Sequence, residues 1–165
     1  MTSKEERYET LLPQAAALLS GESDPMARMA NLAALIHTAF GFWWTGFYRV
    51  CPADPNSTNP CTTDSDILLL GPFQGPVACT RIAYGRGVCG TAWKEARTVI
   101  VPDVERFPGH IACSSESRSE IVVPVIRSGR VTAVLDIDSR SLATFDATDA
   151  HYLERLAALL SVFSR

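Results

Sequence analysis

Three cysteines lie in turn-rich segments near the middle of the chain, and their surroundings favour thiol chemistry. Cys79 stands in PVACTRI, Cys89 in GRGVCGTAW and Cys113 in GHIACSSESRSEIVVP. The thiolate is the nucleophilic and oxidisable form of cysteine, and a turn leaves the sulfur accessible. Free cysteine also packs as a small apolar residue in protein cores. Because all three stand in polar turns, we favour redox chemistry over core packing for the set.

Three acidic residues are predicted to converge beside these thiols. Glu120 directly precedes the apolar run IVV, and Asp136 and Asp138 lie at the end of VLDIDS. The two runs are predicted to form a hairpin, in which the start of one strand lies beside the end of the other. Asp136 and Asp138 share a face because strand side chains alternate. The loop SSESRS should bring Cys113 to the same rim.

This acidic group could do two kinds of work. Carboxylates bind an ammonium group through charge-assisted hydrogen bonds, and a carboxyl whose pKa is raised by its neighbours can donate a proton. The alternative is that the aspartates only solvate the end of a strand. Trp44 and Tyr48 share one face of a predicted strand and could wall a pocket for a methyl or thioether group. Core packing explains these two aromatic residues equally well.

The glycines of GRGVCG match the pattern of a dinucleotide-binding loop, but their context does not. The helix predicted after them is only about two turns long, and no further strand–helix–strand unit follows. We therefore interpret Gly85, Gly87 and Gly90 as residues that permit tight turns. They would let Cys89 open a short helix, where the helix dipole and free amides favour a thiolate.

Neither a metal nor an organic cofactor is expected. The three thiols and His110 could together supply four ligands, but structural zinc sites usually place ligands in pairs roughly two to four residues apart. Only His110 and Cys113 have such spacing. The chain has an odd number of cysteines, five, and no export signal, which fits a secreted disulfide framework poorly. Catalytic or redox-sensing thiols in a reducing compartment fit better.

The composition excludes several classes of partner. With a net charge of −3, the chain lacks the clustered Lys and Arg that nucleic-acid binding requires. No apolar run approaches the roughly 20 residues of a membrane span, and the polar start MTSKEERYET is not a signal peptide. The length suits a single domain over residues 1–165. We predict a cytoplasmic protein that binds neither nucleic acid nor membrane.

Helices are predicted at both ends of the chain and once in the middle. The apolar residues of segment 8–19 recur at helical spacing, although Pro13 should kink or shorten that helix. A second helix, over 25–40, has capping residues at both ends. A short helix is predicted at 88–96, and the last begins near Asp146. The first two helices should pack on one face of a sheet.

The strand pattern predicts an antiparallel sheet. Segment 51–66, with Cys51 and Cys61, is rich in Pro, Asn, Ser and Thr and is predicted to be an exposed loop without a catalytic role. Since helices and strands are segregated along the chain, the fold class is α+β. The predicted strands are 42–50, 67–73, 77–82, 98–101 and a hairpin of 121–127 with 130–137, joined by Ser128 and Gly129.

Five motifs resemble those of the GAF-domain reductases of free methionine-(R)-sulfoxide. They are, in order, WTGFYRV, GPFQGPVACTRI, GRGVCGTAW, PGHIACSSESRSEIVVP and GRVTAVLDIDS, and the resemblance covers residues 31–160. GAF domains at large bind diverse ligands, so these motifs say more about activity than the fold does. The resemblance implies a GAF-like fold with a central antiparallel β-sheet flanked by α-helices. It also implies a closed small-molecule pocket and thiol-dependent reduction of free methionine sulfoxide.

The resemblance also implies roles for individual residues. By this resemblance, Cys113 matches the position of the family's nucleophile, Cys79 that of the resolving cysteine and Cys89 that of an auxiliary thiol. Because Cys113 and Cys89 both stand in polar turns, either could attack, and the choice between them stays open. Segment 51–66 lies outside the shared motifs. The residues that match the family's substrate-binding and proton-transfer groups are Trp44, Tyr48, Glu120, Asp136 and Asp138.

The implied chemistry is consistent with these residues. A thiolate attacks a sulfoxide sulfur only when the oxygen is protonated, and Glu120 or Asp138 could supply the acid. The products are methionine and a sulfenic acid on Cys113, which a neighbouring thiol converts to a disulfide. Thioredoxin, with its low reduction potential, is the expected reductant. A homodimer is left open as an assembly state. The competing hypothesis is a non-catalytic GAF module that senses a ligand or redox state.

Overall fold

The computed structural model describes residues 2–53, 66–111 and 115–161. Most of the predicted loop 51–66, including Cys61, and also Cys113 lie outside the described residues. No helix in the described ranges has the length and apolar character needed to cross a bilayer. The helices are α1 (Lys4–Leu19), α2 (Pro25–Phe40), α3 (Gly87–Glu95) and α4 (Ala147–Ala158), and the strands are β1 (Trp44–Pro52), β2 (Asp66–Gln74), β3 (Arg81–Ala83), β4 (Val99–Val101), β5 (Ser119–Arg127) and β6 (Arg130–Ser139).

Within the described residues the strands form one six-stranded sheet in the order β3-β2-β1-β6-β5-β4. Every neighbouring pair is antiparallel, which confirms the predicted α+β fold with an antiparallel sheet flanked by helices. The central pair, β1 and β6, is distant in sequence. It places Trp44 opposite Asp138 and Gly46 opposite Asp136. The aromatic strand and the acidic strand are therefore neighbours.

Strands β5 and β6 form the predicted hairpin. Its two-residue turn has Ser128 at φ 50° and Gly129 at φ 76°, and two positive φ angles are typical of a primed turn that matches strand twist. The register from this turn pairs Glu120 with Asp138 at the far end of the ladder. The predicted convergence of Glu120 with the aspartates is therefore confirmed.

Helices α1, α2 and α4 cover one face of the sheet, as predicted for the first two. Leu32 and Ile36 of α2 and Leu153 of α4 are fully buried in one cluster with the central strands. Each such side chain contributes roughly 1.5–3 kcal/mol by leaving water. The Tyr8 hydroxyl donates to Oδ1 of Asp149 at 2.8 Å, which joins α1 to the first turn of α4. The sheet residues in this cluster are Phe47, Ile121, Val123, Val125, Ala133, Leu135 and Ile137.

The opposite face of the sheet is covered by α3 and the loops around it, where a second apolar cluster lies. Because side chains alternate along a strand, this face receives the residues that the first cluster omits. Glu120, Asp136 and Asp138 lie on it together with Trp44 and Tyr48 of β1. The cluster contains Trp44, Tyr48, Leu68, Ile82, Val88, Cys89, Ala92, Trp93, Val99, Val101, Val104, Val122 and Val134.

Of the two effects predicted for Pro13, a kink or a shortening of α1, the shortening is wrong and the kink stays a prediction. The helix continues past it for its full length, and its start is fixed by a capping box of Ser3 and Glu6. Pro13 lies on the exposed side, and so does Glu9, whose carbonyl loses its helical partner. Water can solvate that carbonyl, so the buried side of α1 holds the helix in place despite the missing hydrogen bond.

The third strand is much shorter than predicted. β3 covers only Arg81–Ala83, and residues 77–80 have no strand structure. Gly75, at φ 129°, and Pro76 interrupt the ladder, and Val77 is 88% exposed. One backbone hydrogen bond, from Leu70 N to Thr80 O, connects the segment to β2. The irregular residues line a pocket instead, and the other predicted elements agree with the structure to within a few residues.

Candidate functional site

A pocket opens on the sheet face that α3 covers, near the start of β1 and the end of β6. Its empty volume is about 610 Å³, including a part that is open to solvent. Its mixed apolar and polar lining is typical of a small-molecule site. The polar and aromatic residues that line it are Trp43, Trp44, Tyr48, Arg86, Cys89, His110, Ser117, Glu120, Asp136 and Asp138.

The three predicted carboxyl groups meet in this pocket. Glu120, near the start of β5, is the cross-strand neighbour of Asp138, and Asp136 lies on the same face of β6. Glu120 and Asp136 are 6% and 7% exposed and hydrogen-bond to each other. The hydroxyl of Ser117 donates a short hydrogen bond to Oδ1 of Asp138. The structure therefore brings together all three acids that the sequence identified.

Burial shifts the pKa of each of these carboxyl groups. Desolvation, followed by the charges of Asp136 and Asp138, raises the pKa of Glu120 well above its ordinary value. Desolvation and the charge of Asp138 also raise the pKa of Asp136, although hydrogen bonds from Glu120 and Cys89 oppose this. Desolvation raises the pKa of Asp138 to about 6, against the hydrogen bond from Ser117. Burial therefore favours the protonated forms of Glu120 and Asp136, while Asp138, with a pKa of about 6, is largely ionised at neutral pH.

One oxygen of this acidic group has no hydrogen-bond partner among the described residues. Oδ1 of Asp136 is buried, and Asp136 lines the pocket. A buried acceptor left unsatisfied costs roughly 1–3 kcal/mol, and more when it is charged. The arrangement therefore suits a ligand that brings hydrogen-bond donors, and a cationic donor suits it best.

Cys89 is buried, not exposed in a turn as predicted. It is the third residue of α3 and only 4% exposed. Desolvation, then the charges of Asp136, Glu120 and Asp138, raises the pKa of its thiol well above the ordinary value, and the thiol donates a hydrogen bond to Asp136. The prediction that the start of the helix favours a thiolate is wrong, because burial beside carboxylates outweighs the helix dipole.

Cys79 takes part in a disulfide bond. Its partner lies outside the described residues, because Cys51 and Cys89 are both free. The hydroxyl of Tyr48 donates to the carbonyl of Cys79 at 2.9 Å, and the preceding Ala78 lines the pocket. Cys79 is thus attached to the pocket wall through its backbone. The predicted position of Cys113 on the pocket rim lies outside the described residues.

Trp44 and Tyr48 belong to the core cluster and also line the pocket. Their ring centroids are 6.0 Å apart, and Trp44 Nε1 donates to the carbonyl of Pro76 at 3.0 Å. A Cβ atom at Gly46 would lie 2.5 Å from the Trp44 ring, so glycine is required for this ring position. Burial and the charge of Asp136 raise the pKa of Tyr48, which keeps its hydroxyl protonated. Both predicted wall residues are correctly placed.

Several residues that shape the site were not predicted to do so. Ser117 stands in a serine-rich run, where nothing distinguishes it from its neighbours before the fold is known. His110 was weighed only as a zinc ligand, yet its Nε2 lies 3.8 Å from Oε2 of Glu120. Burial lowers the pKa of His110, so it is neutral at neutral pH. Trp43, the neighbour of Trp44 in sequence, also lines the pocket, and the guanidinium of Arg140 packs against its ring.

The sequence also raised two other features, a set of zinc ligands and the glycine-rich segment GRGVCG. The zinc set considered from sequence is not assembled, because Cys79 is in a disulfide. Instead, ligand atoms of Cys89, Glu120 and Asp136 lie within 4.8 Å of one another and could hold a metal ion. The glycines of GRGVCG shape the turn before α3, where a Cβ atom at Gly90 would lie 2.8 Å from the carbonyl of Ala83.

Comparison with known proteins is consistent with the fold and the pocket. Residues 39–163 match the GAF domain family. GAF domain-containing protein A of Dictyostelium discoideum is 52% identical over 158 residues, covering 96% of this chain and 92% of that protein. The free methionine-R-sulfoxide reductase of Saccharomyces cerevisiae is 41% identical over 165 residues, covering 96% and 86%. The X-ray structure of free methionine-R-sulfoxide reductase from Neisseria meningitidis in complex with its substrate is 50% identical, with a TM-score of 0.87 and coverage of 98% and 90%.

Proposed function

We propose that this chain, which belongs to the GAF-domain family that includes the free methionine-R-sulfoxide reductases, reduces free L-methionine (R)-S-oxide to L-methionine. The chain is an oxidoreductase, because free methionine-R-sulfoxide reductases match it over nearly its full length. The observation that carries the proposal is the group formed by the buried Glu120 and Asp136 and the half-buried Asp138, in a pocket with aromatic walls. That arrangement matches a substrate with an ammonium group at one end and a small apolar group at the other.

Substrate binding is assigned to the acids and the aromatic wall. Asp138 is ionised at neutral pH and Asp136 offers a buried oxygen without a donor among the described residues, so both can accept hydrogen bonds from the α-ammonium. Trp44 and Tyr48 supply flat apolar surfaces for the methyl group of the sulfoxide. A peptide-bound methionine sulfoxide has no ammonium at this position, so the pocket favours the free amino acid.

Proton delivery is assigned to Glu120. Its pKa is raised well above the ordinary value, mainly by burial, so it can hold a proton at neutral pH and give it to the sulfoxide oxygen. His110 also lines the pocket, with its Nε2 3.8 Å from Oε2 of Glu120, and can return a proton through solvent. Protonation of the oxygen makes the sulfur electrophilic enough for attack by a thiolate.

Cys113 is proposed as the nucleophile and Cys79 as the resolving cysteine. Two features support this choice over Cys89: the raised pKa of the Cys89 thiol disfavours a nucleophilic thiolate, and Cys79 forms a disulfide, as a resolving cysteine does at the end of turnover. The Cys113 thiolate attacks the sulfoxide sulfur and Glu120 protonates the oxygen. The oxygen ends on the cysteine sulfur, giving methionine and a sulfenic acid. The Cys79 thiol then displaces water and forms the disulfide with Cys113.

Turnover needs an external reductant, for which thioredoxin is the proposed donor because its low potential can reduce such a disulfide. Cys89 is proposed as an auxiliary thiol that hydrogen-bonds Asp136. We also propose that residues 1–165 form one cytoplasmic domain, with a homodimer left open as its assembly state.

The test is a turnover assay with free L-methionine (R)-S-oxide and either dithiothreitol or a thioredoxin system. The wild-type protein should form methionine with both reductants, with one equivalent of the reductant dithiol oxidised per methionine, and Cys113→Ser should form none. Methionine formation by dithiothreitol but not by thioredoxin would reject only the physiological reductant. No methionine with either reductant would reject the proposed function and favour a ligand-sensing module.

A further inference from the structure

Arg140 lies just beyond the end of β6, where it joins two parts of the pocket rim. Its Cζ lies 3.4 Å from the centroid of the Trp43 ring, and its Nη2 lies 2.5 Å from Oε2 of Glu116. Trp43 lines the pocket. Glu116 immediately precedes Ser117, whose hydroxyl donates to Asp138. One guanidinium group therefore contacts both the outer aromatic wall and the segment that supports an acidic residue of the site.

Backbone hydrogen bonds hold the main chains of these two parts against β6. Trp43 N donates to Asp138 O at 3.1 Å, and Arg118 N donates to Ser139 O at 2.7 Å. The side chain of Trp43 has no such support, because its Nε1 is buried without a hydrogen-bond partner among the described residues. Its ring orientation thus depends on packing, in which the guanidinium of Arg140 is the polar contact.

We propose that Arg140 is a positioning residue for substrate binding, which holds Trp43 as the outer wall and, through Glu116, the segment that presents Ser117 to Asp138. This inference rests on the proposed function of the same pocket. An exposed ion pair alone contributes little, and Arg140 and Glu116 are each more than half exposed. The two contacts act together because the planar guanidinium stacks on an indole while its edge binds a carboxylate.

The test compares kcat and KM of Arg140→Ala with those of the wild type, with free L-methionine (R)-S-oxide as substrate and dithiothreitol in excess. The KM should rise about tenfold, as expected for loss of a stacked cation and an ion pair, while kcat changes less than about twofold. Arg97→Ala is the matched control, since Arg97 pairs with Glu95 at the same 2.5 Å and neither residue lines the pocket. Its KM should equal that of the wild type.

Two further variants separate positioning from general stability. Arg140→Lys keeps the charge for Glu116 but loses the planar stack on Trp43, so its KM should lie between those of the wild type and Arg140→Ala. Arg140→Glu should be more impaired than Arg140→Ala, because it repels Glu116. Adding Glu116→Arg to Arg140→Glu restores an ion pair of reversed polarity and should recover at least half of the lost affinity.

The outcomes distinguish this inference from the function on which it rests. An inactive wild type would reject the function itself. With an active wild type, a KM for Arg140→Ala within about twofold of the wild-type value would overturn the positioning role. So would a reversed-charge double variant no better than Arg140→Glu alone. The double variant keeps one positive and one negative charge at these two positions. Its comparison with Arg140→Glu therefore tests the role of Arg140 even if Arg140→Ala has a much lower Tm than the wild type.

Discussion

Glu120 and Asp138 face each other across β5 and β6, yet the fold gives their carboxyl groups different surroundings. Burial raises the pKa of Glu120 well above its ordinary value, whereas the pKa of Asp138, bonded by the hydroxyl of Ser117, rises only to about 6. Burial therefore favours the protonated form of Glu120, while the hydroxyl of Ser117 favours the anion of Asp138. This division lets neighbouring acids share the tasks of proton donation and cation binding.

Replacing Glu120 with Gln should remove the proton donor and leave the fold intact. We expect kcat to fall about a hundredfold or more, in the range typical of a lost general acid, while KM changes much less. Steady-state kinetics on the free (R)-sulfoxide measure both values. Glu105→Gln, at an exposed acid away from the pocket, is the control and should behave as the wild type. A Glu120→Gln enzyme with wild-type kcat would remove this residue from the mechanism.

Single-turnover experiments on serine variants should distinguish the roles of the three cysteines. Cys113→Ser should form no methionine. Cys79→Ser should form one equivalent and then stop with thioredoxin, because the sulfenic acid has no resolving partner. Cys89→Ser should keep most activity, since its buried thiol has a raised pKa and serves only to hydrogen-bond Asp136. If Cys89→Ser alone is inactive, Cys89 and not Cys113 is the nucleophile.

Activity should depend on pH through Asp138. Its pKa is raised from 3.8 to about 6, so the anion that pairs with the substrate ammonium is present above that pH and is lost as pH falls through it. The kcat/KM should therefore drop on the acid side of about pH 6. Ser117→Ala removes the hydrogen bond that opposes the shift, so this acid limb should move to higher pH. An acid limb at the same pH in both proteins would show that Asp138 does not control binding.

The acidic group should reduce the stability of the ligand-free protein. The pKa of Asp136 is raised in the folded state, so folding favours its protonated form, and the stability it contributes is lost as pH rises through the folded pKa. Asp136→Asn should therefore raise Tm at pH 8, at roughly 2–4 °C for each kcal/mol in a chain of this size.

Toward pH 4 the Tm advantage of Asp136→Asn should shrink, because the wild-type carboxyl is then protonated. Thermal melts of both proteins across this range measure the difference. A lower Tm for Asp136→Asn at pH 8 would mean that the carboxylate is compensated in the free protein. The same variant should bind substrate more weakly, since its amide cannot pair with an ammonium group.

The sequence predicted the elements that local patterns control. The turn at Ser128 and Gly129 fixed the register, and strand alternation then placed Glu120 and the two aspartates on one face. The same alternation predicted that Trp44 and Tyr48 of β1 share a face. Capping residues predicted the helix ends. The effect of Pro13 on the length of α1 could not be predicted, because it depends on which side of the helix faces solvent.

What the sequence could not predict depended on burial by distant elements. Cys89 reads as a turn residue, but α3 packs it against the acids of β5 and β6, so its thiol is buried. The bond from Ser117 to Asp138 and the ion pair of Arg140 with Glu116 both require the path of the segment before β5. Local composition does not determine such a path.

The most direct test of the account is a competition of three substrates for the wild-type enzyme: free L-methionine (R)-S-oxide, its (S) epimer, and the (R)-sulfoxide of N-acetylmethionine amide. Blocking the ammonium leaves the buried carboxylates uncompensated, a loss of several kcal/mol for a buried ion pair. The kcat/KM for the free (R)-sulfoxide should exceed that of the blocked compound by about a hundredfold or more, and the (S) epimer should also be poor because its oxygen points away from Glu120. Equal rates on all three would contradict recognition by the acidic pocket.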